Sequence, residues 1–347
     1  MPVLSAETRK KHINLALQGG GAHGAFTWGV LDRILEDERL HIDGVSGTSA
    51  GAMNGAILVS GHIAGGNDGA RKALDRFWES VSALGVLSPI HATWVDRATG
   101  NWDLDSSPAS VWLDTLSRVV SPYQTNPLNI SPLSDLLTEL IDFEGLRKGD
   151  GVRLFVSATN VNTGKIHVFE RKEMTLEKLL ASAALPTVFQ AVEIDGEAYW
   201  DGGYMGNPAI FPLIYGCDSR DIVIVQVNPL TREGVPKTAG EIMNRLNEIT
   251  FNTSLTHEMR AIAFVLKLLD EVPGDVPALS GLKRMHIHMI EDEPAMESLG
   301  VASKLNTDMD FLLYLKNLGR ETAARWLEEN FDALGHRSTV DIRKKFL

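Results

Sequence analysis

Residues 47–51 read Gly47-Thr48-Ser49-Ala50-Gly51, a G-x-S-x-G run placed between a short apolar stretch (42–45) and a helix-compatible one (52–59). A serine on a tight strand-to-helix turn presents its hydroxyl at the rim of an α/β sheet, where it attacks an ester carbonyl. The glycines have steric work there: one position is expected to need a strained backbone angle, the other to let the helix start close against the strand. The same five residues would also make an ordinary turn.

A second stretch, Gln18-Gly19-Gly20-Gly21-Ala22-His23-Gly24, follows the apolar run 13–17 and precedes a helical pattern over 24–35. Consecutive glycines leave backbone N–H groups uncovered, and at a helix N-terminus these form an anion site. Two chemistries fit. Gly19-x-Gly21-x-x-Gly24, with Asp43 some twenty residues on, matches a dinucleotide fingerprint. Alternatively the bare amides of Gly19, Gly20, Gly21 and Ala22 form an oxyanion hole for a serine adding to a carbonyl. The nucleotide reading leaves Ser49 and a third stretch unexplained. That stretch is Tyr199-Trp200-Asp201-Gly202-Gly203-Tyr204, after an Asp195-Gly196 hairpin signal between 192–194 and 197–200. Asp201 would leave a strand end into a loop of small residues, although Asp and Gly are common turn formers.

Together the three stretches resemble the patatin-like phospholipase family. Gly19-Gly20-Gly21-Ala22-His23-Gly24 is similar to its glycine-rich oxyanion loop, Gly47-Thr48-Ser49-Ala50-Gly51 to its nucleophile motif and Asp201-Gly202-Gly203 to its acid motif. Residues 181–186 and Asn207-Pro208 resemble it as well, and order and spacing match over roughly 12–228. The resemblance implies a three-layer α/β/α fold and a lipid acyl hydrolase with Ser49 as nucleophile and Asp201 as its partner, in a dyad without histidine. It implies no cofactor and a lipid or acyl ester as substrate. One position departs: the family carries Arg or Lys two residues after the third glycine, and here that residue is His23. An imidazole replaces a permanent cation poorly, either in ordering the loop or in favouring an anionic substrate.

A carboxylate with an ordinary pKa of ~4 is a weak base for a serine hydroxyl. Such a dyad therefore needs Asp201 buried, which raises the pKa, and an oxyanion site, with Gly20, Gly21 and Ala50 as donors. A Ser-His-Asp triad stays open, because His257, His286 and His288 follow Asp201 in the order α/β-hydrolases use. His286 and His288 share one face of an alternating run, as on a hydrogen-bonded strand. No H-E-x-x-H and no paired cysteines occur, so no metal is expected.

These residues need a scaffold. Apolar runs at 13–17, 42–45, 152–157 and 222–227 read as strands of a mainly parallel sheet, with helices over 24–35, 52–59, 71–81, 134–141 and 176–184. Serine, glycine loop and Asp201 would then stand at carboxyl ends of strands, where open sheets bind ligands. A catalytic domain is expected over 8–230, with 231–347 as a C-terminal helical extension carrying one strand and packed on it. Helices are expected over 241–269 and 309–330, the latter packing through Phe311, Leu312, Leu315 and Leu318. The first of them is a candidate homo-oligomer surface.

Pro89, Pro108, Pro122, Pro127 and Pro132, with Trp94, Trp102 and Trp112, mark a long insertion over 86–131, helical only over 109–119. It reads as a lid bordering the acyl pocket, or as tryptophans packed down on the sheet. Among 347 residues, 44% are hydrophobic and the formal charge is −12, which argues against a nucleic-acid partner and polybasic attachment to anionic lipid. The single Cys217 excludes an internal disulfide. With a polar start and no run of eighteen apolar residues, the chain is expected in the cytoplasm, at most peripheral to membranes. A nucleotide-binding protein and a catalytically silent lipid-binding or scaffold protein are the rival readings.

Overall fold

In a computed structural model the chain is described at residues 10–85, 91–105, 119–271 and 281–347, and at 107, 110, 112 and 279. Eight strands form one sheet: β1 (Lys11–Leu17), β2 (Leu40–Gly47), β3 (Arg153–Asn160), β4 (Ile166–Glu170), β5 (Val192–Ile194), β6 (Glu197–Asp201), β7 (Asp221–Val225) and β8 (His286–Ile290). The order runs β5-β6-β3-β2-β1-β7-β8, with β4 also on β3. Pairs among β3, β2, β1, β7 and β8 are parallel, whereas β4, β5 and β6 pair antiparallel.

Side-chain alternation divides the interior in two. Leu15, Leu17, Val223 and Val225 join one apolar cluster with α1 (Gly24–Glu36), α2 (Ala50–Gly85) and α4 (Met309–Asn330). Ala16, Ile222 and Ile224 join another with the helix Phe211–Gly216, α3 (Ala239–Glu271) and Ile342–Phe346. A strand side chain points to each face in turn, so this pattern requires helices on both sides of the sheet. The result is a three-layer α/β/α arrangement. Residues on both faces of β7 are fully buried, which explains its unbroken hydrophobicity.

The two helices expected at 52–59 and 71–81 are parts of α2, which bends where Gly65 and Gly66 leave helical geometry. Phe311, Leu312 and Leu315 seat α4 on α1, and the glycines at the crossing allow backbone contact. A Cβ on Gly29 would stand 1.9 Å from the Lys316 carbonyl oxygen. Trp102 is buried and packs on Phe311, with ring centroids 5.2 Å apart, whereas Trp112 is exposed. The helix expected over 109–119 falls mostly outside the described residues, as do the side chain of Trp94 and much of the insertion.

One detail of pairing places the site. Along β3, residues 155–159 pair with β4 on one edge. On the other edge β2 pairs with 153–156, ending at Gly47 opposite Val156, and β6 takes over at 158–160, with Asp201 opposite Ala158. The turn holding Ser49 and the end of the strand holding Asp201 thus arrive on one edge of one strand, two residues apart.

Candidate active site

β2 ends at Gly47 and α2 begins at Ala50, leaving Thr48 and Ser49 to make the turn. The strained angle expected at a glycine falls on the serine: Ser49 has φ 55, in the left-handed region that side chains disfavour. Gly51 supplies closeness, since a Cβ there would lie 2.2 Å from the Leu17 carbonyl oxygen. The surroundings hold the turn in this state. Ser49 N–H donates to Ser182 Oγ at 2.9 Å, and the buried Thr48 hydroxyl bonds with Ser157 Oγ and the Gly206 carbonyl.

Asp201 is anchored as firmly. Its N–H donates to the Ala184 carbonyl (2.9 Å), its carbonyl accepts from Thr159 Oγ1 (2.8 Å), and its Oδ1 accepts from Gly203 N–H (2.7 Å). The side chain is fully buried, and among the described residues no hydrogen bond reaches Oδ2. Burial pushes the carboxyl up to about 7; the Gly203 N–H and the facing Ser49 hydroxyl pull the other way. Tyr204 beside it is also pushed up, by burial and by the Asp201 charge.

The glycine loop lies against this pair. A Cβ on Gly19 would stand 2.7 Å from Ser49 Cβ, so only glycine lets the loop approach this serine. Gly19 differs from expectation in one respect. Its N–H donates to Asn207 Oδ1 at 2.7 Å and is therefore engaged, so this amide anchors the loop rather than facing an incoming oxygen. Among the described residues no hydrogen bond occupies the N–H of Gly20, Gly21 or Ala22, nor that of Ala50. What the arrangement can do is hold a hydroxyl, a carboxyl of raised pKa and bare amides around one point.

Residues 15–214 match the patatin-like phospholipase family, which covers more than half of the chain. The chain belongs to that family. Curated relatives include NTE family proteins of uncharacterised function from Mycobacterium bovis and Mycobacterium tuberculosis, each 26% identical over 239 residues, covering 67% of this chain and 55% of the relative. This patatin-like chain therefore spans about half the length of the curated relatives it matches. Among solved structures it is similar to VipD from Legionella pneumophila, with 17% identity, a TM-score of 0.41 and coverage of 92% of this chain and 67% of the other. It is also similar to the ExoU–SpcU complex from Pseudomonas aeruginosa, with 16% identity, a TM-score of 0.37 and coverage of 93% and 52%.

In this patatin-like chain the histidines lie elsewhere. His288 is buried and its Nε2 pairs with Asp221 Oδ1 at 2.9 Å; His286 Nδ1 lies 3.4 Å from the same oxygen. Asp221 opens β7, so this cluster sits toward the amino ends of the strands, away from Ser49. His257 is exposed on α3. Asp43, the candidate ribose acid, likewise does not reach the glycine loop. It bonds His12 Nδ1 (2.6 Å) and Ser219 N–H (2.9 Å) at the far half of β2. With His12 and His41 it brings three ligand-type atoms within 4.8 Å, two of them already joined by that hydrogen bond. His23, at the departing position, is buried and held well below its usual pKa by burial and then by the Lys304 charge, so it is neutral.

Several residues that shape the site carry no motif. Gln18 Oε1 accepts from Val227 and Asn228 N–H, Gln18 Nε2 donates to Asn252 Oδ1, and Asn228 Nδ2 donates to the Gly19 carbonyl at 2.7 Å. This buried amide network ties the loop to the end of β7 and to α3. The signal for it in the sequence is slight: a polar residue at the end of an apolar run, as at Gln18 after 13–17 and Asn228 after 222–227.

Proposed function

We propose that the protein is a serine-dependent lipid acyl hydrolase acting on fatty acyl esters of phospholipids or simpler lipids. The observation that carries this reading is the strained Ser49 facing a buried Asp201 carboxyl with one unpartnered oxygen. Ser49 Oγ adds to the ester carbonyl while Asp201 takes its proton. The carbonyl oxygen, now negative, rests on the N–H groups of Gly20, Gly21 and Ala50. Collapse of the adduct breaks the ester bond, the alcohol leaves with the proton from Asp201, and the acyl group stays on Ser49. Water then attacks the acyl-enzyme, giving up its proton to Asp201, and the fatty acid is released as Ser49 recovers its hydrogen. Strain at Ser49 supports the role because it fixes the hydroxyl before substrate arrives.

On this reading residues 8–230 are the catalytic unit and 231–347 support it. Contact with lipid is apolar and peripheral in a cytoplasmic protein: Ile242, Leu246 and Ile249 form an exposed apolar stripe on α3, the helix whose Phe251 packs on Tyr204. No described helix is long and apolar enough to cross a membrane. The test is covalent labelling by a fluorophosphonate together with hydrolysis of a p-nitrophenyl acyl ester. Both are expected in the wild type and absent in Ser49→Ala; labelling that survives that substitution overturns the proposal.

A further inference from the structure

Residues 300–308 back the glycine loop from behind. The Lys304 carbonyl oxygen sits where a Cβ on Gly21 would be, 2.3 Å from it. Ser303 Oγ donates to the Gly300 carbonyl at 2.6 Å, so in its contact with His23 Nε2 at 2.7 Å it accepts a hydrogen bond from the imidazole N–H. Burial, and then the Lys304 charge, keep that ring neutral, so the loop itself supplies no cation. A cation nearby is the ammonium of the half-buried Lys304, which donates to Asn228 Oδ1 at 2.8 Å. Asn228 Nδ2 in turn donates to the Gly19 carbonyl. That carbonyl and the Gly20 N–H belong to one planar trans peptide and point in opposite directions, so gripping one aims the other. Asn207 Oδ1 holds the Gly19 N–H from the other side.

We propose that Lys304 is a positioning residue for acyl transfer, its ammonium acting through the Asn228 amide to aim the Gly20 N–H at the oxyanion and to strengthen it as a donor. This rests on the role given to Ser49 above. Hydrogen bonds in series polarise one another, and a charged donor at the head of the series strengthens each bond after it. A lysine whose ammonium is desolvated for stability alone would meet a carboxylate. Among the described residues Lys304 forms no ion pair, and its hydrogen-bond partner is the neutral amide. Its surroundings hold Glu248 of α3, Asp105 and Arg232, with His23 facing from the loop. Burial brings the ammonium down to about 8, against the pull of Glu248 and Asp105, so its charge is present at pH 7 and lost on the alkaline side.

The experiment compares the full-length wild type with Lys304→Gln, which keeps a hydrogen-bond donor and removes the charge, in p-nitrophenyl ester hydrolysis across pH values on both sides of 8. The expected result is a fall of about tenfold in kcat, less than the loss of a whole oxyanion donor, with KM little changed. The wild-type decline above pH 8 should vanish in the variant. Wild-type kcat and an unchanged alkaline limb in Lys304→Gln would overturn the proposal while leaving Ser49 in place. Should the variant fail to fold, the wild-type profile decides, since a flat rate above pH 8 makes Lys304 merely structural. Absence of any turnover that Ser49→Ala abolishes would remove the functional reading and this proposal together.

Discussion

Two buried aspartates stand at opposite ends of the sheet, and their environments push in opposite directions. Burial raises both. At Asp221 the hydrogen bonds from His288 and the Gly335 N–H, with the nearby imidazoles, more than reverse that rise and leave the carboxyl below its usual range. At Asp201 only the Gly203 N–H and the Ser49 hydroxyl answer, and the carboxyl stays at about 7. At the end holding His and Asp together, the familiar parts of a hydrolase triad, the carboxylate accepts from both His288 and Gly335, and among the described residues no strained serine turn faces it. The end with strain and an unpartnered oxygen has the serine. Withheld partners, rather than residue types, separate a carboxyl of raised pKa from one held ionised.

The sharpest way to break this contrast is to remove the two groups at the reactive end. Ser49→Ala and Asp201→Asn are each expected to lower kcat by roughly 10⁴-fold or more with the fold retained, read by ester hydrolysis alongside circular dichroism. Next comes Gly19→Ala, whose Cβ would collide with Ser49 Cβ. A loss of about a hundred- to a thousandfold is expected, as for a removed oxyanion donor, and a fully active variant would show that the loop need not lie so close.

At the other end Asp221→Ala leaves His288 buried without its carboxylate and should reduce stability by about 3 kcal/mol in denaturant titration, with turnover per folded molecule preserved. The pH dependences should also oppose each other. Asp201 has a folded pKa above its unfolded one, so its contribution to stability is present in acid and lost as pH rises toward 7, on the order of 4 kcal/mol in all. Asp201→Asn should therefore melt higher than the wild type above pH 7, even though it is inactive. Asp221, with a lowered folded pKa, contributes above its unfolded pKa and loses that contribution as the solution is acidified. In the wild type kcat/KM should rise through pH 7 as Asp201 ionises. The smallest effect is expected for His257→Ala, which should change neither rate nor stability by more than about 0.5 kcal/mol, as for an exposed position.

Much of this arrangement was legible in the chain. The strands around 13–17, 42–45, 152–157 and 222–227 announce themselves by apolar runs, and three glycine-rich stretches mark the turns after β1, β2 and β6. β4 escaped notice because Ile166–Glu170 is short, with only Phe169 fully buried, so its pattern is weak. The glycine rule also misled in one place, since positive φ belongs to Ser49 and is enforced by Ser182, Ser157 and Gly206, which lie more than a hundred residues away. Gln18, Asn228, Asn252 and Lys304 were illegible for the same reason. A buried amide or ammonium acquires its meaning from its neighbours in space, and no local period or motif encodes those.

β3 acts as a ruler for the whole centre. Because the Ser49 turn and the Asp201 strand dock successively on one of its edges, their separation is fixed by two residues of extended chain, about 7 Å. The long segment between β2 and β3, and the stretch between β3 and β6, can grow, shrink or change composition without altering that spacing. Diversity in what the proposed site admits can accumulate there while the spacing of Ser49 and Asp201 stays constant.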